Sequence, residues 1–152
     1  MTAHHLWLAA LVLLFLSASA NAAEVRVRVV YLNDGKPARD QRIGLTLGNP
    51  QSSAPTEFAS TNSEGIAIFP LPNRVPLIVW VDEENGRIEG CARNDVIPLE
   101  AVMKMGVTLG VDERYGKSCK GDRSIMERLK AKPGEIVIFV RKVTIWDDLR
   151  RY

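Results

Sequence analysis

Between residues 24 and 31 apolar and charged side chains alternate, with Val25, Val27 and Val29 on one face and Arg26 and Arg28 on the other. A period of two marks a strand with one buried face. Asn33-Asp34-Gly35 then supplies turn chemistry, and residues 42–48 resume the alternation through Ile43, Leu45 and Leu47. The two runs are expected to pair as a hairpin. A short strand around residues 57–60, a turn at "TNSEG" and an extended "GIAIF" at 65–69 come next. The run "PLIVWV" at 76–81 is apolar on both faces, which predicts a central strand with Trp80 in the core. "ENGR" at 84–87 is a second hairpin signal, because Asn-Gly takes the positive φ angles of a type I′ turn. Its returning strand is expected over residues 87–91. Short strands at such close spacing predict an all-β fold, an antiparallel β-sandwich, rather than βαβ units.

The last third is mixed. Residues 96–105 and 107–111 read as further strands, the first confined to an edge or an irregular segment by Pro98. "DRSIMERLKAK" at 122–132 predicts a short helix, with Ser124 and Glu127 as a capping box and Ile125 and Leu129 as its apolar stripe. Pro133-Gly134 ends it, and residues 135–142 form a strand. Thr144 and Asp147 repeat the capping pattern, so "TIWDDLRRY" is expected to add one or two helical turns.

The leading segment changes the picture. Residues 6–16 are eleven apolar positions without a charge, too short for a bilayer, which needs about 20. They suit the apolar region of a secretory signal, although the segment before them carries His4 and His5 and no Lys or Arg. "ASA" at 18–20 and "ANA" at 20–22 both satisfy the small-x-small cleavage rule, and cleavage after Ala22 is expected. That leaves residues 23–152 as a single domain, periplasmic or secreted, with no membrane span.

All charges follow residue 22. Residues 23–100 hold 8 Lys/Arg against 11 Asp/Glu (−3), and residues 101–152 hold 12 against 7 (+5). The basic bias of the C-terminal end suits either an acidic partner or a solvated face. Nucleic acid is not an expected partner of an exported chain of net charge +2. Cys91 and Cys119 admit one intramolecular disulfide, the expected state after export, with two buried thiols as the alternative.

"VRVRVVYLNDGKPARDQRIGLTL … ASTNSEGIAIFPLP" resembles the carboxypeptidase regulatory-like, transthyretin-like family of small β-sandwiches. Val27, Gly35, Pro37, Ile43 and Leu45 match the first part of that pattern, and Thr61, Gly65, Ala67 and Phe69 the second. The resemblance covers about residues 24–91. It implies a transthyretin-like, Ig-like sandwich and a non-catalytic module for binding, spacing or folding support in an envelope or secreted setting. About residues 106–152 would then be an extension beyond the minimal family domain.

Candidate chemistry is sparse. His4 and His5 lie in the leader, so the mature chain has no imidazole for a Ser-His-Asp or Cys-His system, or for a histidine-ligated metal. "GVDERYGKS" at 110–118 places five residues between its glycines where a phosphate loop needs four. Counting a calcium loop from Asp82 puts Gly86 one position early and Arg93 where the bidentate Glu belongs, although weak calcium binding by Asp82, Glu83 and Glu84 remains an alternative. Asp147 and Asp148 suit the start of a short helix better than acid–base work. The expectation is therefore a non-enzymatic module without a cofactor. Its protein partner would dock at a sheet edge or at Trp146, Arg150 and Arg151, since Trp and Arg are enriched among binding hot spots. The alternative is glycan binding through Tyr31, Tyr115 and Trp146.

Overall fold

The computed structural model describes residues 23–48, 51, 54–71, 76–83, 88–92, 94–112, 119, 121–144 and 149. In chain order the elements are β1 (Ala23–Tyr31), β2 (Arg42–Leu47), β3 (Glu57–Ser60), β4 (Ile66–Leu71), β5 (Leu77–Val81), β6 (Ile88–Gly90), α1 (Leu99–Met105), β7 (Val107–Thr108), α2 (Arg123–Arg128) and β8 (Glu135–Lys142). The larger sheet has the order β4-β1-β8-β6, with β7 also on β8, and the smaller has the order β3-β2-β5. The chain is thus an all-β sandwich with two short helices among the described residues.

The alternating residues build the interior. Val25, Val27 and Val29 of β1 lie beside Ile136, Ile138 and Val140 of β8, and pack against Ile43 and Leu45 of β2 and Leu77 and Val79 of β5. All are buried. A fully buried Leu or Ile side chain contributes about 1.5–3 kcal/mol, so this interior dominates stability.

Three pairings differ from expectation. First, β1 and β2 lie in different sheets. The chain starts a hairpin, with Ala38 N donating to Val29 O and Tyr31 N to Lys36 O (both 2.9 Å). It then leaves through Asp40, at φ 55°, and enters the smaller sheet at Arg42. The two oily faces meet across the interior instead of lying side by side. Second, β5 and β6 also part, β5 joining β2 and β6 joining β8. Residues 84–87, expected to be their turn, lie outside the described residues. Third, the sandwich is not wholly antiparallel: β8 runs parallel to β1 and to β7. Parallel pairing needs a crossover of a dozen or more residues, and both connections are that long.

β5 is an edge strand rather than the expected centre. The strand buried on both faces is β8, from Glu135 through Val140. Its outer face carries Val137 and Phe139, which pack with Val30, Leu32, Ile125, Cys91 and Cys119 in a second cluster. The Cys91–Cys119 disulfide, with Cα atoms 5.6 Å apart, ties the end of β6 to the chain leading into α2. Gly121 is required there, because a Cβ at this position would lie 2.2 Å from Leu32 Cγ.

The expected strand over 96–105 is a helix. Ile97 alone is extended, exchanging bonds with Leu77 (2.8 and 3.1 Å), and Pro98 then opens α1, which buries Leu99 and Val102. Proline suits a helix start, where its missing N–H leaves no bond unmade. The expected helix over 122–132 ends at Arg128, and Asp122 rather than Ser124 caps it, accepting from Ser124 N (2.9 Å). The strand expected over 107–111 shortens to Val107–Thr108.

Candidate functional site

Pro37, Thr61 and Gly65 meet at one corner and do mechanical work. Thr61, buried, donates through Oγ1 to Ala38 O (2.6 Å) and accepts from Gln41 N (2.9 Å), tying the crossover between β1 and β2 to the turn between β3 and β4. At Gly65 (φ +74°) a Cβ would sit 2.7 Å from Val29 O and 2.9 Å from Pro37 Cβ, so nothing larger fits. Nothing at this corner is arranged to react.

Strand edges carry more information, because an unpaired edge is a template for another chain. In the β1–β4 ladder Val29 N donates to Gly65 O, so bonded pairs fall on odd residues and Ile66, Ile68 and Pro70 point their backbone outward. That edge is largely closed. Asn62 takes both groups of Ile66, through Ile66 N to Asn62 Oδ1 and Asn62 N to Ile66 O (each 3.0 Å), and Pro70 has no N–H. On β5 the outward groups of Leu77 are taken by Ile97. On β6 the outward Gly90 N donates to Glu83 Oε1 (3.0 Å).

β3 is different. Thr61 N donates to Gln41 O, which fixes the bonded pairs with β2 at Ala59 and Glu57 and turns the backbone of Phe58 and Ser60 outward. Neither has a bond on that side among the described residues. Phe58 is also 46% exposed. Its ring carries the Arg42 guanidinium 3.9 Å above the centroid, and Arg42 is held there by Asp82 (3.2 Å). Phe58, Gly44 and Trp80 stand in register across the smaller sheet, with Pro55 packed over Gly44. Trp80 is therefore half-buried on the outer face, not in the core, and its Nε1 donates to Thr46 Oγ1 (2.7 Å).

Between the margins of β5 and β6 lies a cleft of about 280 Å³, lined by Val79, Val81, Glu83, Glu89, Asn94 and Phe139 among others. A wider groove of about 470 Å³ runs between Arg28, Arg39, Pro37 and Leu129. Its guanidinium Arg28 is committed to the buried Glu135 (2.6 Å).

The expected site residues fare unequally. The disulfide is formed. Trp146, Arg150, Arg151, Tyr115 and Glu84 lie outside the described residues. Tyr31 is half-buried beneath Lys142 Nζ, 4.8 Å from its ring centroid, and burial, then the charge of Asp34, pushes its hydroxyl pKa up. Asp82 and Glu83, the first two acids of the calcium reading, bind Arg42 and Gly90 N. No three His, Cys, Asp or Glu side chains among the described residues are grouped to hold a metal ion. No described helix is long and apolar enough to cross a membrane. Phe58 and Arg42 were not foreseen. Alternation in "EFAS" separates Phe58 from Ala59, but it does not say which face is wet.

No protein-family model, no curated protein and no solved structure matches the chain.

Proposed function

We propose that this chain is an exported, non-catalytic binding module related to the transthyretin-like sandwiches, and that it docks a protein partner of the cell envelope along the edge of β3. One observation carries the reading: β3 combines outward backbone at Phe58 and Ser60, unbonded among the described residues, with an exposed Phe58 stacked under Arg42. On the edge of β4, by contrast, Asn62 takes both groups of Ile66 and Pro70 has no N–H, which leaves Ile68 alone open. Added strands gain affinity from main-chain bonds and specificity from side-chain contacts, and aromatic residues and Arg are enriched in interface cores.

A photo-crosslinking residue at position 60 in intact cells is expected to trap one partner, and the same probe at position 68 on β4 to trap none. Phe58→Ala should abolish the trapped product while leaving the fold intact. Equal trapping at both positions would defeat the proposal. Loss with Trp146→Ala but not with Phe58→Ala would move the surface to the C-terminal end.

The glycan reading has one observation in its favour, the register of Phe58 and Trp80 on one face of the smaller sheet. Titration with oligosaccharides, followed by tryptophan fluorescence, separates the two, since a protein-docking edge is indifferent to sugars.

A further inference from the structure

The open part of β3 is short, and its length points to an occupant. Thr56 N donates to Leu45 O (2.9 Å), and Thr61 is engaged on both sides, its N with Gln41 O (2.9 Å) and its O with Asp40 N (3.0 Å). Between these ends the backbone groups of Glu57 and Ala59 face β2. That leaves Phe58 and Ser60, two residues placed symmetrically about Ala59.

A second copy of the same strand, antiparallel and with a two-fold axis through Ala59, satisfies this opening completely. Phe58 then stands opposite Ser60 of the copy, and Ser60 opposite the copy's Phe58. In an antiparallel ladder each such pair exchanges two bonds, so every outward N–H and carbonyl of both strands finds a partner. No other self-pairing register does so. An axis at Phe58 sets Ser60 against Thr56, whose N–H already serves Leu45 O. An axis at Ser60 sets Phe58 against Asn62, whose N–H already serves Ile66 O. A longer foreign strand would overrun the opening and meet those same engaged N–H groups.

The side chains agree. Ala59 sits on the axis, where facing residues approach to about 4.5 Å between Cα atoms, and its methyl is small enough for that approach. The two Phe58 rings become diagonal neighbours across the seam, within reach of an aromatic pair, and each keeps its own Arg42 above it. Glu57 is exposed and falls opposite Thr61 of the copy, beside Asp40 and the exposed Arg39. Among the described residues neither Glu57 nor Arg39 belongs to an ion pair. Acid thus faces base twice, once on each side of the axis.

We infer that the partner at the β3 edge is a second copy of this chain, joined through an isologous interface that merges the two three-stranded sheets into one. The inference rests on the edge-docking reading and names its occupant. A seam of so few residues falls in the small, weak class of interfaces, so assembly depends on concentration.

The test uses the exported chain from Ala23 onward. Sedimentation velocity over a wide concentration range is expected to show a monomer–dimer equilibrium. Phe58→Ala and Ser60→Pro should each weaken the dimer about tenfold. The proline removes only an outward N–H, so β3 keeps its bonds to β2. Glu57→Arg and Arg39→Glu should each weaken the dimer, and their combination should restore it. Ala59→Cys should form a disulfide between copies under mild oxidation, and Ile68→Cys should not, with the Cys91–Cys119 bond intact in both as the check on folding. A monomer at all concentrations, a dimer indifferent to both Phe58→Ala and Ser60→Pro, or no disulfide in Ala59→Cys would each overturn the inference. In cells, a product of twice the chain's mass trapped at position 60 supports it. A foreign protein trapped there by a chain that stays monomeric in solution overturns it and leaves the edge-docking reading standing. No trapped product at all overturns both.

Discussion

The two faces of the larger sheet are covered to different extents and by different means. Its inner face is sealed by side chains from six strands and α1, an arrangement the alternating sequence produces by itself. Its outer face is covered over only part of its width, by a seven-residue cluster held in place by a disulfide and one short helix. Oil alone suffices where two sheets meet. A six-residue helix is too short to stand without tertiary support, so the outer layer depends on the covalent bond and on Leu32, Val137 and Phe139 beneath it.

The comparison can be broken most severely from the inside. Ile138→Ala opens a cavity in the inner core and is expected to cost about 2–5 kcal/mol, read as a drop in the urea midpoint with the whole fold unfolding as one. Replacing both Cys91 and Cys119 by Ser should cost no more than the upper part of that range, about 3–4 kcal/mol at most on the chain-entropy account, for a sequence separation of 28. Hydrogen exchange sharpens the contrast: the amides of Cys91, Leu129 and Ala131 should lose protection while those of β1 and β2 keep theirs. Equal loss in both layers would show that they are one cooperative unit.

The smallest effect is electrostatic. Bonds from the Ser124 side chain and backbone hold the Asp122 carboxyl below its usual pKa. A depressed carboxyl contributes stability above its unfolded pKa of about 3.9, and that contribution disappears as pH falls through the folded value. Acid should therefore loosen α2 before the sandwich. Asp122→Asn, which keeps a capping acceptor, should remove that step from a helix-specific NMR titration. An unchanged acid step in the variant would assign it elsewhere.

How much of this was legible follows from what a pattern encodes. Alternation marks a strand and its wet face, and it located β1, β2 and β8 closely. It does not name the neighbouring strand, so both expected hairpins turned out to be crossings between sheets. The 96–105 stretch misled because α1 buries only Leu99 and Val102, too few positions for a helical period to show. Phe58 looked like any strand aromatic, and its exposure depends on the smaller sheet ending at β3. The cleft between β5 and β6 was invisible because its walls come from Val79, Val81, Glu89, Asn94, Leu109 and Phe139 among others, which only the finished topology brings together.

The parallel pairing of β1 with β8 has a consequence for timing. The middle of the larger sheet joins Val27 to Ile136, so β1, the first of the described strands, has no lasting partner on one side until β8, the last of them, has arrived. Such distant closures make folding slow. During synthesis the middle of the larger sheet therefore stays open, as a loose thread beside β1, until Glu135–Lys142 has emerged.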